Sequence, residues 1–180
     1  FNTVVSANLI RELAPLNIRE VVHSFISSMR YDAERLGIEF LPPKFSKIFL
    51  YTKPMHPSEW SSILFNFYNK EKKAIAREKA KGKILIECGE ENGYIFLEFS
   101  DNGDGIKDEN EEFVFDEFFT TTAAESLDEI HSHSEAIGTG LGLKIVKDIV
   151  KSHRGNVEIV SAKTEFSTCF RVEIPKVNDK

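Results

Sequence analysis

No apolar run in this chain approaches the roughly 20 residues that a membrane-spanning helix needs, so nothing in its 180 residues reads as a membrane segment. Cysteine is nearly absent. Cys88 and Cys169 are the only two, and both stand in strand-like runs without metal-type spacing. They are expected to be reduced thiols of a cytoplasmic protein rather than zinc ligands. A basic excess is missing too: 23 lysines and arginines face 29 acids, a net charge of -6. That argues against a general nucleic-acid surface. Internal repeats and low-complexity stretches are also lacking.

What is present suits one globular domain, with 41% apolar and 29% charged residues in a length that supports a single core. The chain begins at Phe1 rather than Met, and Leu9 to Leu13 has the look of a preceding helix's tail. A piece of a longer protein is therefore expected. Residues 1–15 would be linker, 16–176 the domain, and 177–180 a tail.

Asn17 followed by Glu20 predicts a helix start. Behind it Ile18, Val21, Val22, Phe25, Ile26 and Met29 recur at three- and four-residue steps, a helix to about Leu36 that Gly37 ends. Strands are expected at 38–41 and 47–52, separated by Pro42 and Pro43. A second helix should run from Pro57 to about Lys79. Runs 83–88 and 94–100 flank Asn92-Gly93, a hairpin signal. Residues 107–137 are polar and irregular, too long for an ordinary loop and more in keeping with a lid. A third helix at about 140–153 ends in His153, Arg154 and Gly155, and strands 156–161 and 167–174 close the chain. The expectation is an α/β (α+β) two-layer sandwich, its mixed and mainly antiparallel sheet covered on one face by three helices.

Four segments carry chemistry. On the second helix Trp60, Ile63, Leu64, Phe67, Ala74 and Ile75 form an apolar side. Beside it run Glu59, Ser62, Asn66, Lys70, Lys73 and Arg77, either a solvated face or a stripe that meets phosphates. In D-N-G-D-G-I at 101–106, Asp101 ends a strand. Gly103 and Gly105 let backbone approach a flat ligand, and a carboxylate there can accept from an exocyclic amine. In F-D-E-F-F-T-T-T at 115–122, Phe118 and Phe119 are expected to pack and Thr120 to Thr122 to offer hydroxyls. G-T-G-L-G-L at 138–143 leads into a helix, where backbone amides and the helix dipole favour anions.

In this order and spacing the segments resemble the ATP-binding fold shared by sensor histidine kinases, type II topoisomerases, mismatch-repair ATPases and large heat-shock chaperones, the GHKL or Bergerat group. The likeness runs from about Leu16 to Pro175. F-F-T-T and the run K-I-V-K-D-I-V-K-S-H-R-G-N-V-E-I look most like the histidine-kinase branch. The resemblance implies ATP as ligand, with Asp101 on the adenine amine and Gly103, Gly105, Ile106, Phe119, Thr120 and Thr121 around it. Gly138, Thr139, Gly140, Leu141, Gly142 and Leu143 would wrap the phosphates under an ATP lid of about 107–137. Asn66 and Lys73 would stand on the catalytic side, with Asn66 a ligand of Mg²⁺.

One departure is clear. The asparagine-box pattern N-x-x-x-N-[small]-x-x-A fits Asn66 and Ala74, but the second asparagine, the usual Mg²⁺ ligand, is Lys70 here and the small residue is Glu71. Lys70 could stand in for the metal, a helical bulge could bring Asn69 into its place, or the site could be degenerate. No H-E-[LI]-x-x-P phosphoacceptor segment occurs. The likeness therefore implies an ATP-binding half whose partners are ATP or ADP, a separate phosphoacceptor histidine domain and a response regulator, in a parent expected to be a homodimer. The alternatives are a non-kinase ATPase switch and a nucleotide-binding pseudo-enzyme.

Overall fold

Asn17 starts the first helix, α1 (Ile18–Arg35): its backbone is extended and its side-chain oxygen accepts from the Arg19 N–H at 3.2 Å. That bond satisfies one of the orphan donors of the first turn. The computed structural model describes residues 13–78, 81–103, 105, 114–115 and 142–178, with the backbone alone over 74–78. Apart from Val114 and Phe115, the expected lid lies outside the described residues. Gly37 ends α1 in the left-handed region at φ +74, where a side chain would be strained.

Strand β1 (Ile38–Phe40) follows, then β2 (Lys44–Phe45) beyond the two prolines. The strand expected at 47–52 does not form. Ile48 and Phe49 are 66% and 69% exposed, and residues 50–55 cross the end of the sheet. There they hydrogen-bond to segments on both sides, through bridges Asn17↔Tyr51, Ala14↔Met55 and Thr52↔Lys176. Their backbone bonds go to separate segments, with Ile18 N–H donating to the Leu50 carbonyl, Thr52 N–H to that of Leu16 and Val177 N–H to that of Tyr51, so no continuous ladder forms.

Helix α2 (Pro57–Glu78) buries Trp60, Ile63, Leu64 and Phe67 completely, the apolar side read from its periodicity. Strands β3 (Gly82–Glu91) and β4 (Tyr94–Asp101) form the hairpin, with Asn92 at φ 52 and Gly93 at φ 84. Two positive φ values in succession match the right-handed twist of the strands. Helix α3 (Gly142–Ser152) precedes β5 (Asn156–Val160) and β6 (Thr168–Pro175). The left-handed residue after α3 is Arg154, at φ 59. Gly155 is dictated by packing instead, since a β-carbon there would stand 2.1 Å from the Glu173 carbonyl oxygen.

The six described strands form one sheet in the order β1-β3-β4-β6-β5, with β2 also beside β3. β1 and β2 run parallel to β3, and the other pairs are antiparallel. Alternate residues of the sheet (Ile84, Ile86, Leu97, Phe99, Phe170, Val172) join Val22, Phe67, Val146 and Val150 from the helices in one core. Phe67 stacks on Phe170 with centroids 4.9 Å apart, worth about 1 kcal/mol beyond the area it buries. On the other face Arg171 pairs with Glu91 and Glu173, each at 2.9 Å, over the Phe96 ring.

Candidate functional site

Asp101 ends β4 on the helix-covered face, opposite Ile84 on one side and Thr168 on the other, and is fully buried. Burying a carboxylate is costly without hydrogen bonds to it. Its Oδ1 accepts from the Gly103 N–H at 2.8 Å. The turn is tied down on both flanks. Asn102 accepts from the Lys83 N–H (2.7 Å) and donates to the Lys81 carbonyl (3.1 Å). On the other side the Ser167 N–H donates to the Asp101 carbonyl at 2.8 Å, and its hydroxyl donates to the Gly103 carbonyl. Gly105 has φ +76, and a β-carbon there would meet Ser167 at 3.6 Å. The result is a rigid turn that presents backbone and a buried carboxylate at one end of the sheet.

Helices α2 and α3 meet beside this end. Asn66, half-buried, donates from Nδ2 to the Ser62 carbonyl (2.7 Å) and hydroxyl (3.3 Å). The amide oxygen Oδ1 thereby faces Gly142, whose β-carbon, if present, would lie 2.9 Å from it. Gly142 is the first residue of α3 and Leu143 is buried behind it. The described part of the second glycine turn is thus in contact with the polar residue of α2. Gly138, Thr139, Gly140 and Leu141 lie outside the described residues, as do Ile106, Phe119, Thr120 and Thr121.

One turn along α2, the Lys70 ammonium sits 5.6 Å from the centroid of the buried Phe170 ring. Phe115, from the expected lid, packs edge-on to the same ring at 6.0 Å. Glu71 is buried at 2% exposure, as the helical angle predicts. α2 stays α-helical from Pro57 to Glu78, so no bulge rotates Asn69 into another position. Lys73 is half-buried farther along the helix, and the side chain of Arg77 is outside the described part.

Glu59, grouped by sequence with this stripe, stands at its other end. It caps α2 by accepting from the His56 N–H at 3.1 Å and holds His153 Nε2 at 2.7 Å, joining α2 to the end of α3. Ser167 and Thr168 were not flagged by sequence. Only the β4–β6 register brings them to Asp101, and that pairing is non-local. A separate groove of about 780 Å³ runs between α1 and α2, lined by Val21, Phe25, Ser61 and Phe65 among others. Ser62, which holds the Asn66 amide, also borders this groove.

Residues 62–178 match the family described as histidine kinase-, DNA gyrase B-, and HSP90-like ATPase, and the chain belongs to that family. The histidine-protein kinase ArlS of Staphylococcus haemolyticus is 28% identical over 161 residues, covering 87% of this chain and 32% of that protein. The chain spans between 8% and 32% of three such curated relatives. Among solved structures, the nucleotide-free catalytic domain of histidine kinase ThkA superposes with a TM-score of 0.72 at 20% identity, covering 92% of this chain and 97% of that one. Full-length ShkA in complex with AMPPNP gives 0.73 at 22% identity, over 93% and 32% of the two chains. ThkA in complex with the response regulator TrrA gives 0.67 at 19%, over 98% and 47%. Among the described residues no helix is long and apolar enough to cross a membrane.

A nucleotide fits what is present: a buried carboxylate with glycine backbone beside it, and a helix start next to an amide. Magnesium, which the family implies, does not. It takes oxygen ligands, whereas the position of the family's second asparagine carries the Lys70 ammonium, one turn from the Asn66 amide.

Proposed function

We propose that this chain is the ATP-binding catalytic domain of a sensor histidine kinase, supplying ATP for transfer of its γ-phosphoryl group to a histidine on a separate domain. The observation that carries this reading is the buried Asp101 carboxylate held in the Gly103–Gly105 turn, on the family's fold. Asp101 accepts the hydrogen bond of the adenine amine, and Gly103, Gly105 and Ile106 line the base. Phe119, Thr120 and Thr121 border the pocket. The 138–143 turn holds the phosphates through backbone amides at the start of α3. Asn66 and Lys73 flank the transferred group. Such transfer rests on positioning and electrostatics, so no nucleophile is required of this chain. A response regulator is proposed as the later acceptor, in line with the ThkA–TrrA pair. The test is transfer of labelled phosphate from ATP to an added phosphoacceptor hairpin domain. Labelled histidine supports the reading, whereas free phosphate alone points to a non-kinase ATPase.

A second reading, a nucleotide-binding pseudo-enzyme, is favoured by Lys70 at the place of the family's second asparagine and by the buried Glu71 at that of the small residue after it. ATP binding without transfer or hydrolysis would select it.

A further inference from the structure

We propose that the Lys70 ammonium is the resident cation of this pocket. It contacts the nucleotide phosphates directly and makes their binding nearly independent of Mg²⁺. The inference rests on the reading that a nucleotide lies between Asp101 and Gly142.

Position on the helix comes first. Lys70 is four residues after Asn66, so the two side chains share one face of α2, the face that touches Gly142 at the start of α3. Direction comes second. Its Nζ lies 5.6 Å from the centre of Phe170, a ring with no solvent exposure. The side chain therefore reaches inward to the sheet instead of out to water. The Phe170 ring, fixed by Phe67 on one side and Phe115 at its edge, attracts a cation held over it. Phe170 is two residues along β6 from Thr168, and Thr168 pairs with Asp101. The ammonium thus lies over a ring two residues along β6 from the partner of Asp101, one helical turn from the Asn66 amide that meets Gly142.

A lysine here is a compact charge with three donors, a form that suits phosphate oxygens without demanding one geometry. It also opposes a second cation in the same space, since like charges a few ångströms apart repel strongly in a partly buried site. One residue thereby accounts for both the retained polar face and the missing oxygen ligand.

Calorimetric titrations of the whole chain with ATP, ADP and adenosine, each in EDTA and in Mg²⁺, test this. Wild type should bind ATP within about threefold in the two conditions, and Lys70→Met should weaken ATP at least about tenfold in EDTA while leaving adenosine unchanged. Lys70→Asn restores an amide oxygen and should regain dependence, with ATP about tenfold tighter in Mg²⁺ than in EDTA. A tenfold gain by wild type on adding Mg²⁺ overturns the proposal. So does unchanged ATP affinity in EDTA for both variants with melting temperatures near wild type. If those variants are neutral while Asp101→Asn weakens ATP, the lysine inference alone fails. If wild type does not bind ATP in either condition, the nucleotide reading fails with it.

Discussion

Asn66 and Gly142 meet across the junction of α2 and α3, with room for a hydrogen but none for a methyl group: a β-carbon on residue 142 would lie 2.9 Å from the asparagine oxygen. Two motifs 76 positions apart are thereby locked into one surface. The atom in the way is the far end of a side chain that can shift, so Gly142→Ala should change stability by no more than about 0.5 kcal/mol. It should push the Asn66 amide aside and weaken ATP about tenfold, about 1.4 kcal/mol. Calorimetry beside a thermal melt checks both halves.

Gly155→Ala should act on the fold alone. Its β-carbon would stand 2.1 Å from the Glu173 carbonyl and 3.0 Å from Val150, and a backbone oxygen cannot step aside. Overpacking of this kind costs about 3 kcal/mol, read as a lower urea midpoint.

Glu59→Ala separates the two ends of the polar stripe. It removes the cap on the His56 N–H and the contact to His153, which should cost about 1 kcal/mol. ATP affinity should stay within experimental error, whereas a loss matching that of Asn66→Ala would return Glu59 to the binding surface.

Tyr68 donates its hydroxyl to Asp32 Oδ2 at 2.6 Å, tying α2 to α1. That bond first, then Arg35, holds the Asp32 carboxyl below its ordinary value of 3.8, with Lys72 helping and burial opposing. A depressed carboxyl stabilises the fold above its unfolded value, and the contribution is lost as pH falls through the lower folded one. Tyr68→Phe should therefore cost about 2 kcal/mol at neutral pH. Much of that difference should vanish when stability is followed below pH 3.8.

Burial pushes the Cys169 thiol up to about 11 and that of Cys88 up further. Thiolate is the reactive form, so neither cysteine should take up maleimide in the native protein near neutral pH, and both should react in urea. Prompt native labelling would place one of them at the surface.

Local signals carried most of the architecture. Asn17 and Gly37 bracket α1 because capping and left-handed backbone are properties of single residues. Asn92-Gly93 marks the hairpin for the same reason. The segment at 47–52 has strand composition, but its backbone bonds go to Leu16, Ile18 and Val177 rather than to one neighbouring strand, and composition does not say where such partners lie. Parallel pairing of β1 and β2 with β3, and the approach of Ser167 and Thr168 to Asp101, are non-local and left no mark in their own sequence. Spacing and residue type singled out Asp101 and Asn66, and the structure places the first in a buried turn and the second against Gly142. Glu59 shares the face of Asn66 but meets His153, beyond the far end of α3 from Gly142, because helical angle fixes the face and not the position along the axis.

Everything turns on whether the carboxylate at the end of β4 reads the base. The most direct measurement is the calorimetric affinity of Asp101→Asn for ATP and ADP, in a sample whose melt and circular dichroism match wild type. We predict that both nucleotides bind at least about tenfold more weakly. Equal affinity for wild type and variant would contradict the account.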